Sequence, residues 1–440
     1  SWYCLSNEIL NLLETQYKTA QKKTEVVTIA YSVWDEVGMG VKLGSVKGLS
    51  LKGIRAIPVS EGVKRFMHLM DNNSGAQQTI VTARIGGLDT WKSPQAEQKR
   101  GLRFIEDVKY FMPNVELIAQ AHLNVSDDAY LLDHKWKGSL LFPFVFGLEA
   151  MAEAAQYVLG INFDNIIKFS DIQLNRPIFV NEELGCNLEI HAVILEKSII
   201  NDSCKIEINV YSELTNYRVS HFSAVFQTYN MKYKEKVGLI SKVRTNNSID
   251  LNMKKDIYGS ILFQGTSFQN INELYDLNYD NNDKVGECIF SCQSEYVSIF
   301  SKNNKKFENL LIRDPFVLDS ILQSMQLIIS HDQCLPGYVG SVEICFDKEF
   351  NKKLLGSSMI KAIDSEYYRG EAKAYDDEGN SILIKNCILK VMESLLDNPQ
   401  ANDLKNPIRR DTYILENILS KYQREFGIDI PIVSLNYIAG

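Results

Sequence analysis

Over the first 90 residues, segments with apolar positions at helical spacing alternate with strand-like segments. Helical spacing in NEILNLLETQYKTA (7–20) and SEGVKRFMHLMD (60–71) alternates with the β-branched runs EVVTIAYSVW (25–34) and AQQTIVTARI (76–85). Such alternation is typical of α/β units with parallel strands. Because only two strong strands occur, residues 1–90 are too short for a complete sheet domain, and we expect an α/β remnant there.

A charged, apolar-poor segment, WKSPQAEQKRG (91–101), interrupts the pattern, and we predict a linker over residues 91–112. Period-two strand patterns then dominate on both sides of a second polar break at residues 241–250. Each side also contains one strongly apolar helical run, at 142–159 and 314–330.

This repetition predicts two similar halves, 113–245 and 246–395, each with one helix wrapped by an antiparallel sheet. The wide apolar face of each helix suits burial on most sides. The predicted class is α+β, and residues 396–440 are left as a linker or as part of a following domain.

Composition narrows the range of functions. The 440 residues carry a formal charge of -8 without a basic block, which argues against nucleic acid as a partner. Apolar runs stop short of the about 20 residues that a membrane span needs, and no signal peptide is visible. Because the first residue is Ser1, we expect a piece of a longer chain.

Cysteine spacing favours a reduced, cytoplasmic protein without a metal site. No CxxC pair occurs, and the closest pair, Cys288 and Cys292, has no neighbouring histidine to complete a zinc site. Eight scattered cysteines in apolar segments are typical of small core residues.

His134 is the first candidate for chemistry. Gly138 permits a positive φ, and Pro143 suits the start of the apolar helix that follows. A base beside free helix N–H groups and an apolar channel fits proton abstraction next to a thioester carbonyl. A purely structural histidine is the alternative.

Asp319 is the second candidate. It lies in the apolar helical run, and Gln323 follows four residues later on the same face. Burial of this carboxyl raises its pKa, so that a protonated Asp319 is able to donate a proton. An Asp319 that faces solvent or caps a neighbouring element is the alternative. Asp314, ahead of Pro315, is interpreted as a helix-capping residue.

Together these residues resemble the dehydratase domain of modular polyketide synthases and related fatty acid synthases. The family's His-x3-Gly-x4-Pro motif is matched by His134, Gly138 and Pro143, and its Asp-x3-Gln motif by Asp319 and Gln323. A Tyr-Gly loop followed by Gly-x2-Phe-Gln is matched by the following residues: Tyr258, Gly259, Gly265, Phe268 and Gln269.

The resemblance implies a double hot dog and a dehydratase in which His134 is the base and Asp319 the acid. It also implies substrate binding by Gly138, Pro143, Tyr258, Gly259, Gly265 and Gln323. The implied substrate is a phosphopantetheine-linked β-hydroxyacyl thioester on an acyl carrier protein, handled without a metal or diffusible cofactor. Implied partners are the other synthase domains and a second copy in a homodimer.

Two departures and two alternatives accompany this hypothesis. Asp314 replaces a usual histidine, and Phe144 replaces a glycine that often follows the first proline. A double-bond isomerase would use the same base and acid. A catalytically silent hot dog module that shapes the synthase is the other alternative.

The first 90 residues resemble the last part of a polyketide ketoreductase. Tyr3 and Asn7 match that family's catalytic Tyr-x3-Asn, and SVWDEVGMG (32–40) matches its Trp-x3-Gly-Met stretch. This implies a Rossmann-like remnant that binds NADPH only if the upstream half is present. YQREFGIDIPIVSL (422–435) resembles the latter half of an acyl carrier protein, but without the Asp-Ser-Leu that accepts the phosphopantetheine arm.

Overall fold

A computed structural model describes most of the chain. The described residues are 2–20, 27–50, 54–71, 78–83, 101–160, 166–197, 204–228, 248–258, 261–294, 310–345, 353–394, 400–405, 419 and 427. Two compact units, Ser1–Pro94 and Gln95–Gly440, emerge from the contacts, and each is described by itself.

Among its described residues, the first unit contains one parallel strand pair and four helices. Its elements are α1 (Trp2–Ala20), β1 (Thr28–Tyr31), α2 (Met39–Lys42), α3 (Ser45–Ser50), α4 (Val59–Asp71) and β2 (Gln78–Val81). β1 pairs with β2 in parallel, as the alternating pattern predicts. Gly62 in α4 lets Trp34 approach, because a Cβ there would lie 2.4 Å from the indole ring. The relation of this unit to a ketoreductase stays a prediction.

The second unit is a mixed α+β structure with a large antiparallel sheet, which confirms the predicted class. Its strands are β3 (Asp107–Met112), β4 (Glu116–Leu123), β5 (Lys135–Trp136), β6 (Ser139–Leu141), β7 (Ile166–Leu174), β8 (Phe179–Val180), β9 (Cys186–Lys197), β10 (Cys204–Ser212), β11 (Phe222–Thr228), β12 (Ile271–Asp280), β13 (Val285–Cys292), β14 (Asp332–Cys345), β15 (Leu354–Ala362), β16 (Tyr367–Tyr375) and β17 (Ser381–Ser394). Its helices are α5 (Phe144–Leu159), α6 (Pro315–Ile328) and α7 (Ala401–Leu404).

Twelve strands form one sheet in the order β12-β13-β15-β16-β17-β14-β7-β11-β10-β9-β4-β3, and β5, β6 and β8 form a small second sheet. α5 packs on β4, β9, β10 and β11, whereas α6 packs on β12, β13, β15 and β16. The two halves join where β7 pairs antiparallel with β14. Each helix thus packs on its own part of one continuous sheet, whereas the repeated pattern predicts a separate sheet for each half.

Small side chains on α5 allow the sheet to approach closely. A Cβ at Gly147 would lie 2.7 Å from the ring of Phe222 on β11, so only glycine leaves room for that ring. Nearly the whole helix is buried, including Glu149 and Glu153. Both carboxyls accept backbone N–H groups: Glu149 from Leu311 and Ile312, and Glu153 from Arg103 and Phe104.

The predicted linker at 91–112 is wrong in its second part. Arg103 and Phe104 are fully buried, and β3 is the edge strand of the large sheet. The buried Arg103 guanidinium binds Asp128, which accounts for a charged segment inside the fold. Residues 91–100 lie outside the described part of the chain.

The predicted tail, 396–440, also begins within the second unit. Ala401 and Leu404 of α7 are buried in its core, and the Asn402 side chain donates to the Tyr279 carbonyl over 2.8 Å. The carrier-like segment 422–435 lies outside the described residues, except for position 427.

Cysteine placement agrees with the core interpretation. Among the described side chains, the free cysteines are Cys186, Cys204, Cys288, Cys292, Cys334, Cys345 and Cys387, and all but Cys345 are buried. A search of the described helices finds none with the length and apolar character to cross a bilayer.

Candidate active site

One cavity of about 330 Å³ in the second unit is lined by residues from both halves. His134, Phe144 and Phe222 come from the first half, and Asp319 and Gln323 come from the second. Most of the lining is apolar, as is usual for a ligand cavity with a few placed polar groups. The structure therefore brings the two candidate residues, 185 positions apart in sequence, to one cavity.

His134 enters this cavity from the turn that precedes β5. Its ring Nδ1 lies 2.8 Å from the carbonyl oxygen of Leu141, which is able only to accept. Nδ1 therefore carries a proton, and in the neutral ring Nε2 holds the free lone pair. Burial lowers the pKa of His134 to about 4, so the ring is neutral at physiological pH.

Gly138 shapes the hairpin between β5 and β6. Lys137 and Gly138 form its two-residue turn with φ values of 48° and 83°. Two successive positive φ values define a type I′ turn, which favours glycine at the second position. The hairpin brings Leu141 next to His134. The Leu141 N–H donates to the His134 carbonyl over 2.9 Å, and the Leu141 carbonyl binds the His134 ring. Gly138 thus positions His134.

Pro143 precedes the first turn of α5. It is the N-cap residue, with extended backbone, and α5 begins at Phe144. The N–H groups of Phe144 and Val145 have no intrahelical acceptor, because a helix leaves its first N–H groups unused. The Phe144 side chain lines the cavity, so this helix terminus and its partial positive charge lie at the cavity wall.

Asp319 is 7% exposed and lies on α6. Its Oδ2 accepts from Gln323 Nε2 over 2.7 Å, and the same amide nitrogen donates to the Phe268 carbonyl over 3.0 Å. Burial raises the pKa of Asp319 to about 7, although the Gln323 hydrogen bond acts in the opposite direction. A substantial protonated fraction therefore exists at neutral pH.

Tyr258 orients the Gln323 amide. Its hydroxyl donates to Gln323 Oε1 over 2.8 Å and accepts from the Ile271 N–H over 3.2 Å. The amide oxygen and nitrogen are therefore distinguished by their partners. Burial raises the pKa of Tyr258 above its ordinary value, so the hydroxyl keeps the proton that it donates.

A short loop, Gly265 to Phe268, links the surroundings of His134 and Asp319. Gly265 and Ser267 N–H groups donate to Asp133, at its carbonyl over 2.7 Å and at its Oδ2 over 2.9 Å. The Phe268 ring lies 5.2 Å from the His134 ring, and its carbonyl binds Gln323. The loop is therefore a shared support for both candidate groups.

The substrate-binding roles implied by the motifs stay a prediction. Among the described residues, the cavity lining includes Gln323 but not Gly138, Pro143, Tyr258 or Gly265. Gly259 lies outside the described residues. Gly138 lies in the hairpin turn, the Pro143 carbonyl accepts N–H groups of α5, and the Gly265 N–H donates to the Asp133 carbonyl.

Sequence reasoning missed Asp133 and Leu141. Asp133 directly precedes His134, and Leu141 supplies the carbonyl that sets the tautomer. Adjacency to His134 was the available signal for Asp133. Nothing in the residue type marks Leu141, because its backbone oxygen makes the contact.

The two departures have distinct structural roles. Asp314 caps α6, as predicted, accepting from Phe316 and Val317 N–H groups over 2.9 and 3.0 Å. Burial raises the pKa of Asp314 to about 6. Phe144 replaces a glycine with an aromatic ring on the cavity wall.

In the first unit, Tyr3 and Asn7 both lie on α1, four residues apart and thus on one face. Asn7 is exposed, and the Tyr3 side chain lies outside the described part. No group of three or more His, Cys, Asp or Glu side chains arranged to hold a metal occurs among the described residues.

Comparisons with known proteins add a family match. Residues 111–212 match the family model of the polyketide synthase dehydratase domain. A search of curated proteins finds no match.

Three solved structures are weakly similar to the chain. The dehydratase domain from the CurF module of curacin polyketide synthase is 17% identical, with 63% of this chain and 94% of that chain covered and a TM-score of 0.48. The CurK module dehydratase domain is 18% identical, with coverages of 67% and 98% and a TM-score of 0.47. GphF dehydratase 1 is 14% identical, with coverages of 67% and 99% and a TM-score of 0.47. The family-model match includes His134 but is limited to residues 111–212, and over these residues the chain is similar to a polyketide synthase dehydratase domain.

Proposed function

We propose that this chain removes water from a carrier-bound β-hydroxyacyl thioester and releases an α,β-unsaturated thioester. The observation that carries the proposal is the pairing of a neutral base and a protonated acid at one apolar cavity. His134 and Asp319 both line it, and burial shifts the pKa of His134 to about 4 and that of Asp319 to about 7.

His134 acts as the base in this proposal. Nε2 takes a proton from the carbon next to the thioester carbonyl, and Nδ1–H stays bound to the Leu141 carbonyl. The electron pair left on that carbon delocalises onto the carbonyl oxygen. N–H groups of Phe144 and Val145 at the start of α5 stabilise the resulting negative charge.

Asp319 acts as the acid. The electron pair forms the carbon–carbon double bond as the bond to the β-hydroxyl breaks, and Asp319 protonates the departing oxygen to give water. Gln323 holds the carboxyl in place. The cycle leaves a protonated His134 and an ionised Asp319, and return of one proton through solvent restores both. The chemistry needs neither a metal nor a diffusible cofactor.

The same proposal covers the surroundings of the dehydratase. An acyl carrier protein delivers the thioester on its phosphopantetheine arm, within a multidomain, homodimeric synthase. Residues 1–90 are proposed as the C-terminal part of a ketoreductase, supported by the parallel β1–β2 pair. That part would bind NADPH only together with its upstream half.

The test uses the full chain and 3-hydroxybutyryl N-acetylcysteamine thioester, with loss of water followed by mass spectrometry. We expect turnover by wild type and losses of about 10²–10⁴-fold for His134→Ala and for Asp319→Asn. Because the two groups act in one step, the double variant should be little worse than either single variant. His191→Ala is the matched control, since His191 lies on β9 beside Glu189 rather than at the cavity.

Each contrary outcome has a definite meaning. An inert wild type would indicate a silent structural module, and equal activity of His134→Ala and wild type would remove His134 as the base. A supplied enoyl thioester that shifts its double bond, without dehydration of the hydroxyacyl thioester, would favour the isomerase.

A further inference from the structure

Three aromatic rings form one wall of the cavity: Phe142, Phe144 and Phe222. The Phe222 ring centroid lies 6.3 Å from that of Phe142 and 6.4 Å from that of Phe144. Phe222 is seated against Gly147 of α5, where a Cβ would approach its ring to 2.7 Å. The Phe222 ring therefore packs against the backbone of α5 on one side and contacts the Phe144 ring on the other.

The start of α5 locates the substrate atoms next to this wall. His134 is tied to Leu141, two residues before Pro143, and the unused N–H groups of α5 begin at Phe144. In the proposed function the base reaches C2 of the substrate and these N–H groups reach the carbonyl oxygen on C1. Because Phe144 also provides the first of these N–H groups, in the proposed function its ring lies beside C1 and C2 rather than at the distant end of the acyl chain.

We propose that Phe144 determines substrate specificity by excluding substituents on C2, so that the enzyme takes 3-hydroxyacyl thioesters with an unbranched C2. This inference rests on the proposed function. The ring occupies space beside the carbon that loses its proton, and a C2 methyl group would have to share that space. The cavity of about 330 Å³ lies at the small end of the range for ligand sites, about 300–1,000 Å³.

The experiment compares 3-hydroxybutyryl with each diastereomer of 2-methyl-3-hydroxybutyryl N-acetylcysteamine thioester on the full chain. One methyl group in an apolar pocket changes kcat/KM by about 10–200-fold, and we expect wild type to prefer the unbranched thioester by that factor. In Phe144→Ala the ratio of the two kcat/KM values should fall by about tenfold or more. Phe144→Leu, which keeps an apolar side chain, should give an intermediate ratio.

Phe111→Ala is the matched control. Phe111 on β3 packs edge-to-face on Tyr157 at 5.1 Å and does not line the cavity, so its loss should keep the wild-type ratio. Circular dichroism establishes that each variant is folded, and Phe144→Leu carries the test if Phe144→Ala is not.

The outcomes separate this inference from the proposed function. If wild type dehydrates branched and unbranched thioesters equally, or if both Phe144 variants keep the wild-type preference, the role of Phe144 is overturned while the dehydratase stands. If wild type dehydrates neither thioester, the proposed function itself fails.

Discussion

The two halves of the second unit share one architecture but place their titratable groups differently. In the first half, His134 precedes the wrapped helix α5, and the β5–β6 hairpin lies between them. In the second half, Asp319 lies within the wrapped helix α6 itself. Burial lowers the pKa of His134 to about 4 and raises the pKa of Asp319 to about 7.

The same physical cause thus gives opposite chemistry. Burial disfavours the charged form of either group, so the imidazole loses its proton and the carboxyl keeps one. In the proposed mechanism, burial at one largely apolar cavity therefore prepares a base and an acid at the same pH. In the proposed mechanism, residue type therefore decides whether burial gives a neutral base or a protonated acid.

A raised pKa does not by itself identify the acid. Burial also raises the pKa of Glu149 to about 7. Both Glu149 oxygens, however, accept backbone N–H groups, of Leu311 and Ile312, whereas Asp319 lines the cavity. Access to substrate, rather than the pKa, separates the proposed catalytic carboxyl from the structural one.

The largest expected effect is on the pH dependence of kcat/KM. Activity should fall below pH about 4 as His134 gains a proton, and above pH about 7 as Asp319 loses its own. Each unit beyond either limit should cost about tenfold. Gln323→Leu removes the hydrogen bond that lowers the pKa of Asp319, so the alkaline limit should move to higher pH.

Gln120→Leu is the control for this shift, because Gln120 bonds Glu189 on the neighbouring strand β9. An alkaline limit that stays in place or moves to lower pH in Gln323→Leu would contradict the assignment of that limit to Asp319. The profile is measured as initial rates with the unbranched thioester.

A second, smaller effect tests whether the two halves share a support. In Gly265→Ala the new Cβ would lie 2.4 Å from Asp133 Oδ1 and 2.8 Å from its Cα, so the loop must shift. We expect kcat/KM to fall about 10–100-fold, because misplacement of about 1 Å costs that much. Overpacking should also lower the free energy of unfolding by about 1–3 kcal/mol.

The matched control is Gly48→Ala, where a Cβ meets nothing within 4 Å. If Gly265→Ala loses stability but keeps wild-type kcat/KM, the loop is a structural element and does not position His134 and Asp319. Kinetics and denaturant unfolding of the same preparations decide between these outcomes.

The sequence predicted the wrapped helices and period-two strands in both halves, but β7, which joins the halves by pairing with β14, departs from that pattern. β7 was missed because Asp171 at φ 50° interrupts its alternation, at the point where the pairing with β11 shifts register. β12 (INELYDLNYD) was missed because half of its residues are Asp, Asn or Glu, which are poor strand formers. β12 is an edge strand, where polar residues are tolerated.

For the site, motif spacing named His134, Asp319 and Gln323, and all three line one cavity. The contact of Gly265 with Asp133 was not predictable, because a steric fit between residues 132 positions apart leaves no trace in local spacing. The tautomer of His134 was equally out of reach, since it depends on the Leu141 carbonyl. Residue types and motif spacing thus indicated the candidate catalytic groups, whereas these two contacts could be found only in the structure.

The smallest expected effect concerns stability and tests the burial of Asp319 without any substrate. The folded pKa of about 7 lies above the unfolded value of about 3.9. Between these pH values the unfolded chain releases a proton that the folded chain keeps. The free energy of unfolding of wild type therefore falls as pH rises to about 7, and this contribution stays constant at higher pH. Asp319→Asn lacks this loss and still offers an oxygen to Gln323.

We therefore expect Asp319→Asn to be more stable than wild type at pH 8, by up to about 4 kcal/mol, with a smaller difference at pH 5. Calorimetry of the full chain at both pH values measures the difference, and Asp107→Asn at an exposed position of β3 controls for loss of any carboxylate. A difference that is equal at both pH values would mean that Asp319 ionises as readily in the folded chain as in water. Burial would then shift the pKa of His134 in the first half but not the pKa of Asp319 in the second half, and the proposed acid would be lost.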